Sequence, residues 1–112
     1  MESILTSIKK LLGLTEEYTV FDSDIIMHIN TVFMTLNQLG VGPEDGFIIE
    51  DDLSVWKDFL GEDEKKIIAV KTYVYQKVKL IFDPPLNSAH IQALEKSVNE
   101  FEWRLRLQAE SK

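Results

Sequence analysis

The chain has 112 residues, 45% of them apolar and none of them cysteine, with a formal net charge of -7. That composition suits one ordinary domain with a modest core, and it excludes a disordered tail, a disulfide-stapled fold and a thiolate metal site. The acid excess argues against a protein that grips duplex DNA, and no apolar run approaches the ~18 residues of a membrane span. The charge is unevenly spread: residues 1–63 carry 13 acids and three lysines, whereas residues 64–112 carry nine bases and six acids. An acidic part and a mildly basic part let copies of one chain attract head to tail. The plainer alternative is that the lysines of the fourth helix only solvate it.

Met1-Glu2-Ser3 leads straight into an amphipathic segment, with no signal-peptide core expected. Ile4, Leu5, Ile8, Leu11 and Leu12 share one face of a first helix, with Lys9 and Lys10 in its last turn and Gly13 closing it. Thr15 to Phe21 connects to a second helix, capped by Asp22 or Asp24. Its stripe of Ile25, Ile26, Ile29, Val32, Phe33, Leu36 and Leu39 is the cleanest in the chain, and Gly40, Gly42 and Pro43 stop it. Pro43 to Asp52 is irregular. Glu44-Asp45-Gly46 reads as a turn, and Phe47 to Ile49 as extended chain, either a short strand or a loop lying on the core.

Asp51 or Asp52 is expected to cap a short third helix, Leu53 to Leu60, with Leu53, Trp56, Phe59 and Leu60 inside. The fourth helix is predicted from about Asp63 to Phe82. Ile67, Ile68, Val70, Tyr73, Val74, Val78 and Ile81 make it apolar on most sides, which marks the central helix. Asp83-Pro84-Pro85 must break it. Asn87 or Ser88 caps a fifth helix reaching about Ala109, a length of ~33 Å, with a seam of Ile91, Leu94, Val98, Phe101 and Leu105. Glu100–Arg104 and Glu102–Arg106 are expected as i,i+4 pairs, and the charged far end predicts a tail projecting from the body. The fold class is therefore all-α: about five helices in one domain over residues 1–112, with a long irregular loop between helices 2 and 3 and an extended C-terminal helix.

Candidates for chemistry are few. His28 lies off the stripe of helix 2 and His90 in the first turn of helix 5, neither in a metal-binding or catalytic frame. The acids Glu44, Asp45, Glu50, Asp51 and Asp52 lack the alternating spacing of a calcium loop, and the glycines at 40, 42 and 46 precede no Lys-Ser/Thr pair. The reading is that of a non-enzyme with no cofactor and no metal. Trp56 and Phe59 are expected to cover the core beneath the long loop. Trp103 differs: it lies two residues from both Phe101 and Leu105, so it points away from their seam, among Arg104, Arg106 and Leu107. An outward Trp flanked by arginines is the kind of cluster enriched at protein interfaces.

Leu80-Ile81-Phe82-Asp83-Pro84-Pro85 closing helix 4, then a last helix ending Glu100-Phe101-Glu102-Trp103-Arg104-Leu105, resembles the head–tail connector (adaptor) proteins of long-tailed bacteriophages. Val32 to Phe47, Trp56 to Gly61 and Val70 to Lys79 are similar too, so the resemblance spans nearly the whole chain. It implies a subunit that assembles as a homo-oligomeric ring beneath the portal protein, extends the DNA channel and meets the next neck or tail-completion protein. DNA then only passes through, no membrane is involved, and the protein belongs to the virion neck after assembly in the host bacterial cytoplasm. Carried onto this sequence, the portal-facing candidates are Phe101, Trp103, Arg104, Arg106 and Leu107. The loop facing the channel or a neighbour is Gly42 to Asp52, with Glu44, Asp45, Phe47, Glu50, Asp51 and Asp52. An acidic loop in the lumen would repel phosphate at short range. A small helical transcriptional regulator or antitoxin-like protein is the main alternative, disfavoured because helix 2 has no lysine or arginine and helix 3 no basic cluster. An enzyme accessory is a weaker one, since only the surroundings of His28 or the acid cluster would support it.

Overall fold

The computed structural model describes residues 2–110. Five helices follow one another: α1 (Ile4–Leu11), α2 (Asp22–Gln38), α3 (Trp56–Leu60), α4 (Glu64–Phe82) and α5 (Ser88–Glu110). No strand forms among the described residues; an isolated antiparallel bridge joins Ser3 to Val55. The all-α bundle, its long irregular segment before α3 and its extended last helix match the expectation from periodicity.

The central element is α4, which packs against each of the other four helices. Asp63 caps it by accepting the Lys66 amide at 3.1 Å, and Val70, Tyr73, Val74 and Val78 form its fully buried stripe. It is not apolar on most sides in practice. Ile68 is 64% exposed and Ile81 also faces solvent, because a helix packed on three sides still keeps a fourth. Across from it, α2 buries Ile25, Ile29, Val32, Phe33 and Leu36, as its pattern predicts.

Three local expectations fail for identifiable reasons. Neither Asp22 nor Asp24 caps α2: Asp22 is the first helical residue, and its carboxylate stands 2.8 Å from the Lys9 ammonium. Lys9 is only 2% exposed and donates to the Glu16 carbonyl at 3.0 Å, so it pins α1 to the connector and to α2. With Thr6, Ser7 and Lys9 covered as well as Ile4, Leu5 and Ile8, α1 is buried nearly all round rather than on one face. The third helix starts three residues later than predicted. Asp58 accepts the Val55 amide at 2.9 Å and sets the start there, while Asp51 holds a turn at Leu53, which is 77% exposed.

Asn87 caps α5, accepting the amides of Ala89 at 2.7 Å and His90 at 3.3 Å. The α5 tail does not project. Ala109 sits so close to Gly40 that a Cβ at position 40 would stand 2.9 Å from the Ala109 methyl carbon. Glu102 also departs from the expected Arg106 pairing. It turns inward, accepting the Tyr73 hydroxyl at 2.7 Å and meeting Lys77 at 3.4 Å, so it fastens α5 to α4. Glu100 does meet Arg104, at 3.3 Å.

Candidate functional site

The outer face of α5 is set by helical geometry. Val98 and Leu105 are buried and Ile91, Leu94 and Phe101 half-buried against α4, so residues half a turn away must face solvent. Trp103 is 60% exposed there, beside exposed Leu107, Arg104 and Arg106. Phe101 falls on the other side and packs against the core, so it supports this face from behind. The structure thus brings together Trp103, Arg104, Arg106 and Leu107 and separates Phe101 from them.

The segment between α2 and α3 is a strap rather than a free loop. Asn37 donates to the carbonyls of Pro43 and Glu44, both at 3.2 Å, and the Gly46 amide closes a turn on Pro43 at 2.9 Å. Two turns earlier, Asn30 pairs with both backbone groups of Ile49, accepting its amide at 2.8 Å and donating to its carbonyl at 2.9 Å. The Ile4 amide then takes the Ser54 carbonyl at 2.8 Å. Beneath the strap, Phe33, Phe47, Trp56 and Phe59 form an aromatic cluster, with Phe33–Phe59 centroids at 4.4 Å and Phe47 stacked on Phe59 at 5.1 Å. The buried Trp56 indole donates to Ser7 at 2.9 Å, which accounts for its polar end. Trp56 and Phe59 therefore cover the core, as expected.

That anchoring turns the acids outward. Glu44, Asp45, Glu50, Asp51 and Asp52 are all exposed, Phe47 is half-buried and Ile49 fully buried. Phe47 to Ile49 is the loop lying on the core, not the strand. Among the described residues, no three of His, Asp or Glu converge as metal ligands would. His28 rests near the Phe82 ring at 6.4 Å, and His90 is exposed.

Sequence reasoning missed the two fasteners, Asn30 and Asn37. Their spacing of seven, which stacks them on one side of the helix at the edge of its apolar stripe, was the available signal. It also missed that Met27, Met34 and Ile48, all exposed, lie along the outer side of α2 and its strap.

A packed helical body bearing separate outer faces, one aromatic and basic and one acidic, has the form of an assembly subunit. The model of the phage connector protein family matches residues 4–112, and the chain belongs to that family. Its role is that of a bacteriophage head–tail connector, a component of the virion neck that associates with other head and tail proteins. No curated protein and no solved structure matches the chain. None of its described helices is long and apolar enough to cross a membrane.

Proposed function

We propose that copies of this chain close into a ring beneath the portal protein, prolong the DNA channel and present a surface to the next neck or tail-completion protein. The role is structural, not catalytic, and the ring is built in the host bacterial cytoplasm before it becomes part of the neck. The observation that carries this reading is the α5 outer face: a tryptophan 60% exposed on a helix whose opposite side is locked to α4. An indole left in water is a large unburied apolar area, and Trp and Arg are both enriched among the residues that anchor interfaces. We assign Trp103, Leu107, Arg104 and Arg106 to the portal contact, with Phe101 behind them. The strap bearing Glu44, Asp45, Phe47, Glu50, Asp51 and Asp52 faces the channel or a neighbouring subunit.

The test is to mix the purified protein with its cognate portal and examine the product by electron microscopy and native mass spectrometry. A stoichiometric ring-shaped complex is expected, and Trp103→Ala is expected to lose it. A protein that ignores its portal at any concentration, or that binds operator DNA at moderate salt, refutes the reading. Reversing Asp45 and Asp51 to lysine separates the two placements of the strap. Slowed DNA packaging or ejection from intact particles places it in the channel, and failed ring assembly places it between subunits.

A further inference from the structure

Two outer helix stripes remain once the α5 face is assigned to the portal. On α2, Asp24, Met27, Thr31, Met34 and Gln38 recur every three or four residues and all face solvent. The strap runs beside them, with Asp45 and Ile48 lining the same recess as Met34. On α4, Lys65, Ile68, Thr72, Tyr75 and Lys79 recur in the same rhythm, with Lys65 and Ile68 exposed and the other three half-exposed. At about 100° per residue, each stripe points away from the stripe its own helix buries. Since α2 and α4 pack on one another, the two outer stripes both point away from the α2–α4 contact, the α4 stripe bordering α5.

The two stripes are complementary. Residues 22–53, which hold α2 and the strap, contain seven acids and no lysine or arginine. Helix α4 contains five lysines and one glutamate. Each stripe covers fourteen residue steps, about 21 Å. The acidic one has Met27, Met34 and Ile48 between Asp24 at one end and Glu44 and Asp45 near the other. The basic one has Ile68 and Tyr75 between Lys65 and Lys79, with Asp83 beyond its end meeting Lys79 at 3.2 Å.

From this match we infer that the α2–strap face of one copy docks on the α4 face of the next, the occupant being a second copy of this chain. The inference rests on the ring reading above and names its subunit contact. Two different surfaces of one subunit pair head to tail, and such heterologous pairing makes a ring where the rotation between neighbours closes, not an isologous dimer. The apolar residues at the centre supply the burial, and the flanking charges set the register and exclude the same-face pairing, where acid would meet acid. The contact places Asp45 and Ile48 of the strap against a neighbour rather than in the channel.

The chain has no cysteine, so the contact can be read by engineered cross-linking. The double variant Met34→Cys with Ile68→Cys, assembled with portal and oxidised, is expected to give a ladder of covalent oligomers. An equal mixture of the two single variants is expected to give heterodimers, and Met34→Cys alone none. Rings visible by electron microscopy without a ladder overturn the contact and leave the ring reading standing. Dimers from Met34→Cys alone overturn it in favour of same-face pairing. Absence of any ring from the unmodified protein with portal refutes both. Charge exchange checks the result independently. Lys65→Glu with Lys79→Glu, and Asp24→Lys with Asp45→Lys, are each expected to lose assembly yet to assemble when mixed. Retained assembly of both variants separately, with native-like circular dichroism, overturns the charge match.

Discussion

Lys9 and Tyr73 are buried polar side chains that tie helices together, and each makes a distinct prediction. The Lys9 ammonium is 2% exposed and has Asp22 and the Glu16 carbonyl as its polar partners. Removing one partner of such a pair strands the other, whereas removing the charge itself does not. Asp22→Ala is therefore expected to cost about 2 kcal/mol in urea unfolding, discounted from a fully buried pair because Asp22 is partly exposed. Lys9→Met in that background should recover much of the loss, and a double-mutant cycle showing no coupling would refute the account. Burial first, and then its hydrogen bond to Glu102, raise the Tyr73 phenol well above its ordinary value of 10.0. The folded protein thus keeps a proton that the unfolded chain releases. This contribution is whole below about pH 10 and is lost above it, by at most ~1.4 kcal/mol per pH unit. Tyr73→Phe is expected to cost about 1–2 kcal/mol at pH 7, with the gap to the parent closing above pH 10. A gap that stays constant across unfolding curves from pH 7 to 11 would count against it.

The strap is the element whose order least resembles that of its sequence. Its composition reads as a solvated acidic loop, yet hydrogen bonds to Asn37, Asn30 and the Ile4 amide, together with the Phe47 ring, hold it along its length. Two of its glycines test this. Both Gly42 and Gly46 have φ near +90°, but a Cβ at Gly42 would come 2.3 Å from the Phe59 ring, whereas one at Gly46 meets nothing within 4 Å. Gly46→Ala should cost about 1 kcal/mol from backbone strain alone. Gly42→Ala should cost at least about 2 kcal/mol more, because the ring it would displace is the one on which Phe33 and Phe47 pack. Thermal melts showing equal losses would mean that the aromatic cluster yields freely. Helix ends were legible where one residue type dominates the chemistry, as with Asp63, Asn87 and the two prolines after Asp83. They were misread at Asp22 and Asp51, where a carboxylate had a better partner than a helix amide.

For the whole molecule, stability and assembly should separate. Trp103 contributes little to the core, so Trp103→Ala is expected to shift unfolding free energy by no more than about 0.5 kcal/mol while abolishing the portal complex. A variant that melts early would return Trp103 to the core. The α5 tail that charge crowding predicted to project instead closes on Gly40, because small residues at both positions let the two helix ends approach. Helix number, order and the buried stripes of α2 and α5 were already set by the sequence, since apolar period and helix breakers act over a few neighbouring residues. The outward aim of Trp103 was legible for the same reason. Only the tertiary structure decided which acids are pinned, which face of α4 stays bare, and that the acidic and lysine-bearing stripes both face away from the α2–α4 contact. Those are relations between residues far apart in the chain, and a periodic pattern carries no information about which helix will cover which face.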